Sequence, residues 1–274
     1  MLRNGWVDRH AEGLDTWDMA TITLANQRIF YTQPQKSAGG ATLLLVHGAG
    51  GSHLDWPAEI QRLPNTAVYN LDLPGHGRSD GPGHATIDAY ADVVAEFIDA
   101  LALERVVVVG HSMGGAIAQA LALRRLPQLA GLVLVGTAAR LRVADAILEG
   151  ILPRFADTVD LITRFAWGPD APAPLVARSR ERMLAVDPAV FQRDFLACDA
   201  FDVRAQVAQI ALPTLVISGA EDKMTPLKHG RLLAEQIPQA TLVTLDGAGH
   251  YLPLEQPQAV AAAITQFLEA AGDA

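Results

Sequence analysis

Cysteine is almost absent from this 274-residue chain. Cys198 stands alone, so no intramolecular disulfide can form and no cysteine-based zinc or iron–sulfur site is available. The fold has to hold by packing, and a reducing, cytoplasmic setting is expected. Basic charge is also scarce. Lys and Arg number 21 against 30 Asp and Glu, a formal net charge of −9, without the basic cluster that grips a phosphate backbone. Nucleic acid is not expected as a partner. No apolar run approaches the ~20 residues that cross a bilayer. The opening stretch "MLRNGWVDRHAEGLDTWD" lacks the continuous apolar core of a signal peptide. An unexported chain that keeps off membranes is the expectation.

Half of the residues are hydrophobic, enough for a full α/β core with an insertion. After a hairpin pattern, "MATITLANQRIFYTQ", short β-branched runs alternate with longer helical ones: "ATLLLVHG", "TAVYNLDLPG", "RVVVVGHS", "LAGLVLVGTA", "PTLVISGAED" and "ATLVTLDGAGH". Runs that are apolar throughout suit strands covered on both faces, hence a parallel sheet. Between them "TIDAYADVVAEFIDALAL" places apolar residues at three- and four-residue steps, with Thr86 as N-cap and Asp88 in the first turn. The expected fold is a doubly wound α/β domain, with a mostly parallel eight-stranded sheet and helices on both faces.

The alternation breaks between residues 137 and 210. Four helical patterns succeed one another there, punctuated by Pro153, Pro169, Pro172, Pro174 and Pro188. This segment is read as an all-helical cap over a pocket at the carboxyl ends of the strands, on a core made of residues 1–136 and 211–274.

"VVVVGHSMGGAIAQAL", residues 106–121, passes from strand to helix across a very short turn. Backbones that meet so closely need small residues two before and two after the apex, and Gly110 and Gly114 occupy those places. The apex, Ser112, is thereby held in a strained pose with its hydroxyl above the strand ends and the helix N-terminus behind it. A glycine-rich nucleotide turn would need G-x-G-x-x-G or a P-loop lysine, and neither is present.

A serine nucleophile needs a base. Of the eight histidines, His250 lies just past the last strand pattern on the glycine-relaxed loop "LDGAGHYLPLEQP". His10, His53, His84 and His229 sit in polar contexts and are expected to be solvated. His47 and His76 are expected to brace loops, and His111, beside the nucleophile, to point away from it.

With these stretches together the chain resembles the α/β-hydrolase family, and within it the serine esterase and enol-lactonase group. The pieces "LLLVHGAGGS", "YNLDLPGHGRSDGPG", "VVVVGHSMGGAIAQALAL", "PTLVISGAEDKMTP" and "DGAGHYLPLEQPQAV" come in the family's order over nearly the whole length. The resemblance implies the chain order Ser, acid, His. It places the acid at Asp222, beside Glu221, and the oxyanion donors at the backbone N–H groups of Ala49 and Met113. Gly48, Gly50 and Gly51 allow that loop its tight geometry. Asp72 and Arg78 are expected to brace one another or nearby loops.

The activity implied is that of a carboxylesterase without metal or organic cofactor, whose partners are a small-molecule ester and water. Its small to medium apolar acyl or alcohol group would be bound by His111, Phe155, Phe165, Trp167 and Tyr251, with packing of the cap onto the core as the other role open to most of the cap side chains. Enol-lactonase, thioesterase and carbon–carbon hydrolase activities stay open within the class. A non-catalytic receptor on the same fold is the alternative outside it. The sequence assigns no oligomeric state.

Overall fold

The four consecutive valines of residues 106–109 offer solvent no polar side chain, and in the computed structural model they lie mid-sheet. The structure describes residues 17–34 and 40–272. The N-terminal stretch, His10 and most of the "KSAGGA" segment lie outside those residues.

Eight strands form one sheet: β1 (Trp17–Leu24), β2 (Gln27–Pro34), β3 (Ala41–Val46), β4 (Thr66–Leu71), β5 (Val106–His111), β6 (Leu129–Val135), β7 (Thr214–Gly219) and β8 (Ala240–Leu245). Their spatial order is β1-β2-β4-β3-β5-β6-β7-β8. Only β1 with β2, and β2 with β4, run antiparallel; the other pairings are parallel. Ala25 and Asn26, both at positive φ (45° and 62°), turn the β1–β2 hairpin, the handedness a two-residue connection requires.

The helices are α1 (Ala58–Gln61), α2 (Ile87–Ala100), α3 (Met113–Leu123), α4 (Asp145–Leu148), α5 (Phe155–Ala166), α6 (Ala173–Leu184), α7 (Pro188–Ala200), α8 (Leu227–Gln236), α9 (Leu252–Glu255) and α10 (Pro257–Gly272). The Thr86 hydroxyl caps α2 by accepting the Ala89 N–H at 3.2 Å. Side-chain alternation along the strands divides the core in two. Leu44, Val46, Val106, Val108, Leu132 and Leu134 face α2 and α3, while Leu43, Leu45, Val107, Val109, Val133 and Val135 face Trp56, Ile60, Val260 and Ile264.

Residues 137–210 carry α4 to α7 between β6 and β7. The two ends of this helical insertion are stitched by the Val203 N–H to Ala139 C=O bond at 2.8 Å and an isolated bridge between Arg140 and Asp202. The run "RVADAILEGIL" is helical only over Asp145–Leu148; Arg142–Ala144 approach it in non-helical backbone, and Val143 N–H is held at 3.0 Å by the side chain of Asp199.

Candidate active site

β5 ends at His111 and α3 begins at Met113, so Ser112 alone makes the turn, at φ 52°, ψ −114°. A non-glycine residue at positive φ costs on the order of 1–3 kcal/mol and persists only where its surroundings fix it. They do so here. The Ser112 N–H donates to Val135 C=O at 2.9 Å, and the Ser112 C=O accepts from the Thr137 hydroxyl at 2.8 Å and from Gly115 N–H at 2.9 Å. A methyl group on Gly110 would strike the Gly114 carbonyl, and one on Gly114 the Val46 carbonyl; both glycines are demanded by the closeness of backbone to backbone.

The Ser112 Oγ lies 3.0 Å from His250 Nε2. On the far side of the ring, Nδ1 lies 2.9 Å from Asp222 Oδ2. A carboxylate can only accept, so Nδ1 carries the proton and Nε2 is left to accept from the serine hydroxyl. Asp222 also accepts the backbone N–H groups of Met224 and Thr225 at 2.8 Å each and the Thr225 hydroxyl at 2.7 Å. Burial pushes its pKa up, but the charge and hydrogen bond of His250 and the donors of Thr225 outweigh that and bring it to about 2. Its neighbour Glu221 is exposed. The loop that carries His250 is held by Glu255, whose Oε2 accepts from Gly249 N–H at 3.0 Å and from Gly168 N–H of the insertion at 2.8 Å.

Through its ring His111 engages the loop that carries His250. Its Nε2–H donates to the His250 carbonyl at 2.8 Å, its ring packs 4.9 Å from the His250 ring, and burial together with the neighbouring His250 lowers its pKa to about 3. The ring is therefore neutral. The loop after β3 lies across the nucleophile, where a methyl on Gly48 would stand 3.2 Å from Ser112 Cβ. His47 braces it: Leu73 N–H donates to His47 Nε2 at 3.0 Å, so Nδ1 keeps the ring proton and donates to Gly48 C=O at 2.8 Å. Gly51 N–H reaches the same carbonyl at 3.1 Å. With that C=O held, the N–H of Ala49, in the same peptide plane, points the opposite way. Among the described residues neither Ala49 N–H nor Met113 N–H has a protein acceptor.

Ser112 and His250 open into a cavity of about 610 Å³ that Ala49 also lines, within the ~300–1,000 Å³ of small-molecule sites. Ile147, Ile162, Phe165, Met183, Phe191 and Phe195 make its wall largely apolar. Of the aromatic and histidine residues expected at substrate, His111, Phe165 and Tyr251 line it. Phe155 and Trp167 do not: Phe155 is spent in an edge contact with Phe191 at 5.2 Å and Trp167 lies against Tyr251 at 4.8 Å. His229, expected to be solvated, lines the cavity as well.

One other expectation needs correction, while the bracing expected of Asp72 and Arg78 is present. His53 is not solvated, because its Nδ1 lies 2.9 Å from both oxygens of the buried Asp72. Asp72 meets Arg78 through the backbone, accepting Arg78 N–H at 2.8 Å, while the Arg78 guanidinium stacks 5.1 Å from the Phe30 ring. Sequence reasoning also passes over Thr225, Glu255 and Asp194. The last is an acid inside the apolar stripe Val190, Phe191, Phe195, Cys198 of α7, a position that signals a buried partner.

A sequence profile described as the alpha/beta hydrolase family matches residues 43–263. The 2-hydroxymuconate semialdehyde hydrolase of Pseudomonas sp. (strain CF600) is 32% identical over 263 residues, covering 86% of this chain and 90% of its own. The solved structure of a thermophilic esterase superposes with a TM-score of 0.83 at 33% identity, covering 93% of this chain and 99% of that one. The enol-lactonase from Burkholderia xenovorans LB400 does so with a TM-score of 0.85 at 25% identity, covering 91% and 100%.

Proposed function

The chain belongs to the alpha/beta hydrolase family, and from that premise we propose that it is a serine hydrolase that cleaves carboxylic esters through an acyl-enzyme. Ser112 Oγ attacks the ester carbonyl carbon while His250 Nε2 takes the hydroxyl proton, and Asp222 stabilises the imidazolium that forms. The negative charge that develops on the carbonyl oxygen is met by the N–H groups of Ala49 and Met113, the latter at the N-terminus of α3. Collapse expels the alcohol oxygen, which takes the proton from His250 Nε2. A water then gives a proton to His250 and attacks the acyl carbon; the acid leaves and Ser112 recovers its hydrogen. Residues 137–210 act as the cap, and the apolar wall that they supply favours small to medium apolar acyl or alcohol groups.

The observation that carries this reading is the 3.0 Å approach of Ser112 Oγ to His250 Nε2 at the edge of an apolar cavity. The relatives include an esterase, an enol-lactonase, proteins named for carbamate hydrolysis and a 2-hydroxymuconate semialdehyde hydrolase. The ester is preferred because a solved esterase and a methyl ester esterase stand among the relatives; the same nucleophile, base and donors would also serve a lactone or a thioester. The test is covalent labelling by a fluorophosphonate together with turnover of p-nitrophenyl butyrate, beside lactone, thioester and β-diketone panels. Ser112→Ala is expected to abolish labelling and lower ester turnover on the order of 10⁴-fold or more. Labelling without ester turnover, combined with cleavage of a lactone, thioester or diketone, would move the assignment within the family. A wild-type protein inert in every assay would be a receptor.

A further inference from the structure

The catalytic steps leave two fully buried carboxylates unused, Asp72, beside His53, and Asp194. Asp194, on α7 of the insertion, has no solvent exposure and receives three hydrogen bonds. Gly50 N–H donates to Oδ2 at 2.8 Å, His76 Nε2–H to the same oxygen at 2.7 Å, and the Tyr90 hydroxyl to Oδ1 at 2.5 Å. The other His76 nitrogen, Nδ1, faces the Pro74 carbonyl at 3.0 Å. Both ring nitrogens meet atoms that only accept, so His76 carries two protons and a positive charge that balances the carboxylate.

Gly50 is the end point of this node on the catalytic side. It sits at φ +63°, and a methyl group there would strike the Phe191 ring. α7 therefore holds Gly50 twice, with a ring against its Cα and a carboxylate on its N–H. That N–H belongs to the Ala49–Gly50 peptide plane, which joins the plane that carries Ala49 N–H at a single Cα, so that only the φ and ψ of Ala49 lie between them. His47 fixes the Gly48–Ala49 plane from the core side; Asp194 fixes the next one from the insertion side.

We propose that Asp194 is a positioning residue for the oxyanion site: by holding Gly50 N–H it sets the direction of the Ala49 N–H, so that a helix of the insertion completes the transition-state donors. This role rests on the serine-hydrolase reading. It gives α7 a part in the reaction beyond covering the cavity, since withdrawing the helix would release the donor loop.

Asp194→Ala is expected to lower kcat for p-nitrophenyl butyrate by about 10- to 100-fold with KM within about threefold, as misplaced oxyanion donors do. Binding of a trifluoromethyl ketone should weaken in parallel, because Ser112 Oγ adds to its carbonyl carbon, His250 takes the proton and the resulting oxyanion needs both donors. Inhibition by butylbenzene, which occupies the apolar cavity and has no oxygen for the donors, should stay within about threefold. Asp194→Asn should recover kcat to within about fivefold of wild type, since its amide oxygen still accepts from Gly50 and from the Nε2–H of His76, which gives up its Nδ1 proton once the carboxylate is gone, while its NH₂ donates to the Tyr90 oxygen. Should Asp194→Ala not fold, Tyr90→Phe, which leaves Oδ1 without a donor, should still lower kcat severalfold with KM unchanged.

Unchanged kcat and ketone affinity in a folded Asp194→Ala protein, or parallel losses for ketone and butylbenzene, would overturn the positioning role. So would a folded Tyr90→Phe protein with wild-type kcat, if Asp194→Ala could not be read. Ser112→Ala and fluorophosphonate labelling of the wild type are run alongside. If they fail, the serine-hydrolase reading fails; if they succeed while the Asp194 variants behave as wild type, only the positioning role does.

Discussion

Four donors converge on Asp222, and they hold in place a proton on the far side of a ring. With Nδ1–H committed to the carboxylate at 2.9 Å, His250 presents a lone pair to Ser112. Asp222→Asn would reverse this. The two backbone N–H groups at Oδ1 keep the amide oxygen on their side, which turns the NH₂ toward His250 and forces Nδ1 to accept. The ring proton then sits on Nε2, facing Ser112 Oγ, where it blocks general-base catalysis. Turnover of an ester is expected to fall about 10³- to 10⁴-fold in this variant, with a matching loss in fluorophosphonate labelling rate. Activity within tenfold of wild type would place the acid elsewhere. The same carboxylate ties stability to pH. Its pKa, about 2 in the fold against an ordinary value near 3.9, means that it contributes roughly 2–3 kcal/mol above the ordinary carboxylate range. That contribution declines as pH falls through 4 and is gone below about 2. Urea titrations of wild type and Asp222→Asn between pH 6 and pH 2 should therefore converge on acidification. A gap that stays constant or widens would contradict the shift.

The strand–turn–helix element explains why so much of the site is legible in the sequence. Gly110 and Gly114 announce a backbone collision that only a missing side chain relieves, and the valine run before them can only be a buried strand. Ser112 and its pose come out of that local logic, and His250 out of its place after the last strand run. Asp194 and Gly50, by contrast, lie 144 positions apart, and no local pattern links them. His53 misleads for the same reason: its partner Asp72 lies on another loop, 19 positions along, and leaves the half-buried ring little access to solvent. Phe155 and Trp167 are aromatic and in the right segment, but whether such a ring faces a cavity or another ring is decided by docking. The helical patterns of the insertion are legible, while α4 reads too long because the apolar spacing continues through Ile151 after the helix has ended. The element itself makes a sharp prediction. Gly114→Ala pushes a methyl into the Val46 carbonyl of β3, a backbone atom that cannot rotate away. It should cost on the order of 2–3 kcal/mol in urea unfolding. A loss below about 0.5 kcal/mol would mean that α3 and β3 are not in contact as described.

At the scale of the whole molecule the insertion and the sheet behave as one packing unit. Ile151, Val159, Ile162, Met183, Phe191 and Phe195 of the insertion belong to the same hydrophobic cluster as Val46, Val108 and Leu134 of the sheet. Asp194 reaches Gly50, His76 and Tyr90, and Glu255 ties Gly168 to Gly249. A segment joined to its base by apolar packing and buried polar contacts cannot melt first without exposing a large part of the shared core. Two tryptophans can report on this separately. Trp56 is 1% exposed in the cluster on the opposite face of the sheet, and Trp167 is buried at the end of α5 against Tyr251. Fluorescence-monitored urea unfolding of Trp167→Phe loses the probe in the insertion and that of Trp56→Phe the probe in the core, so the difference of each from wild type isolates one region. The two difference curves and far-UV circular dichroism are expected to share a midpoint and slope. An earlier transition reported by Trp167 alone would show the insertion loosening by itself, and the donor loop would then depend on a part of the molecule less stable than the strand that carries Ser112.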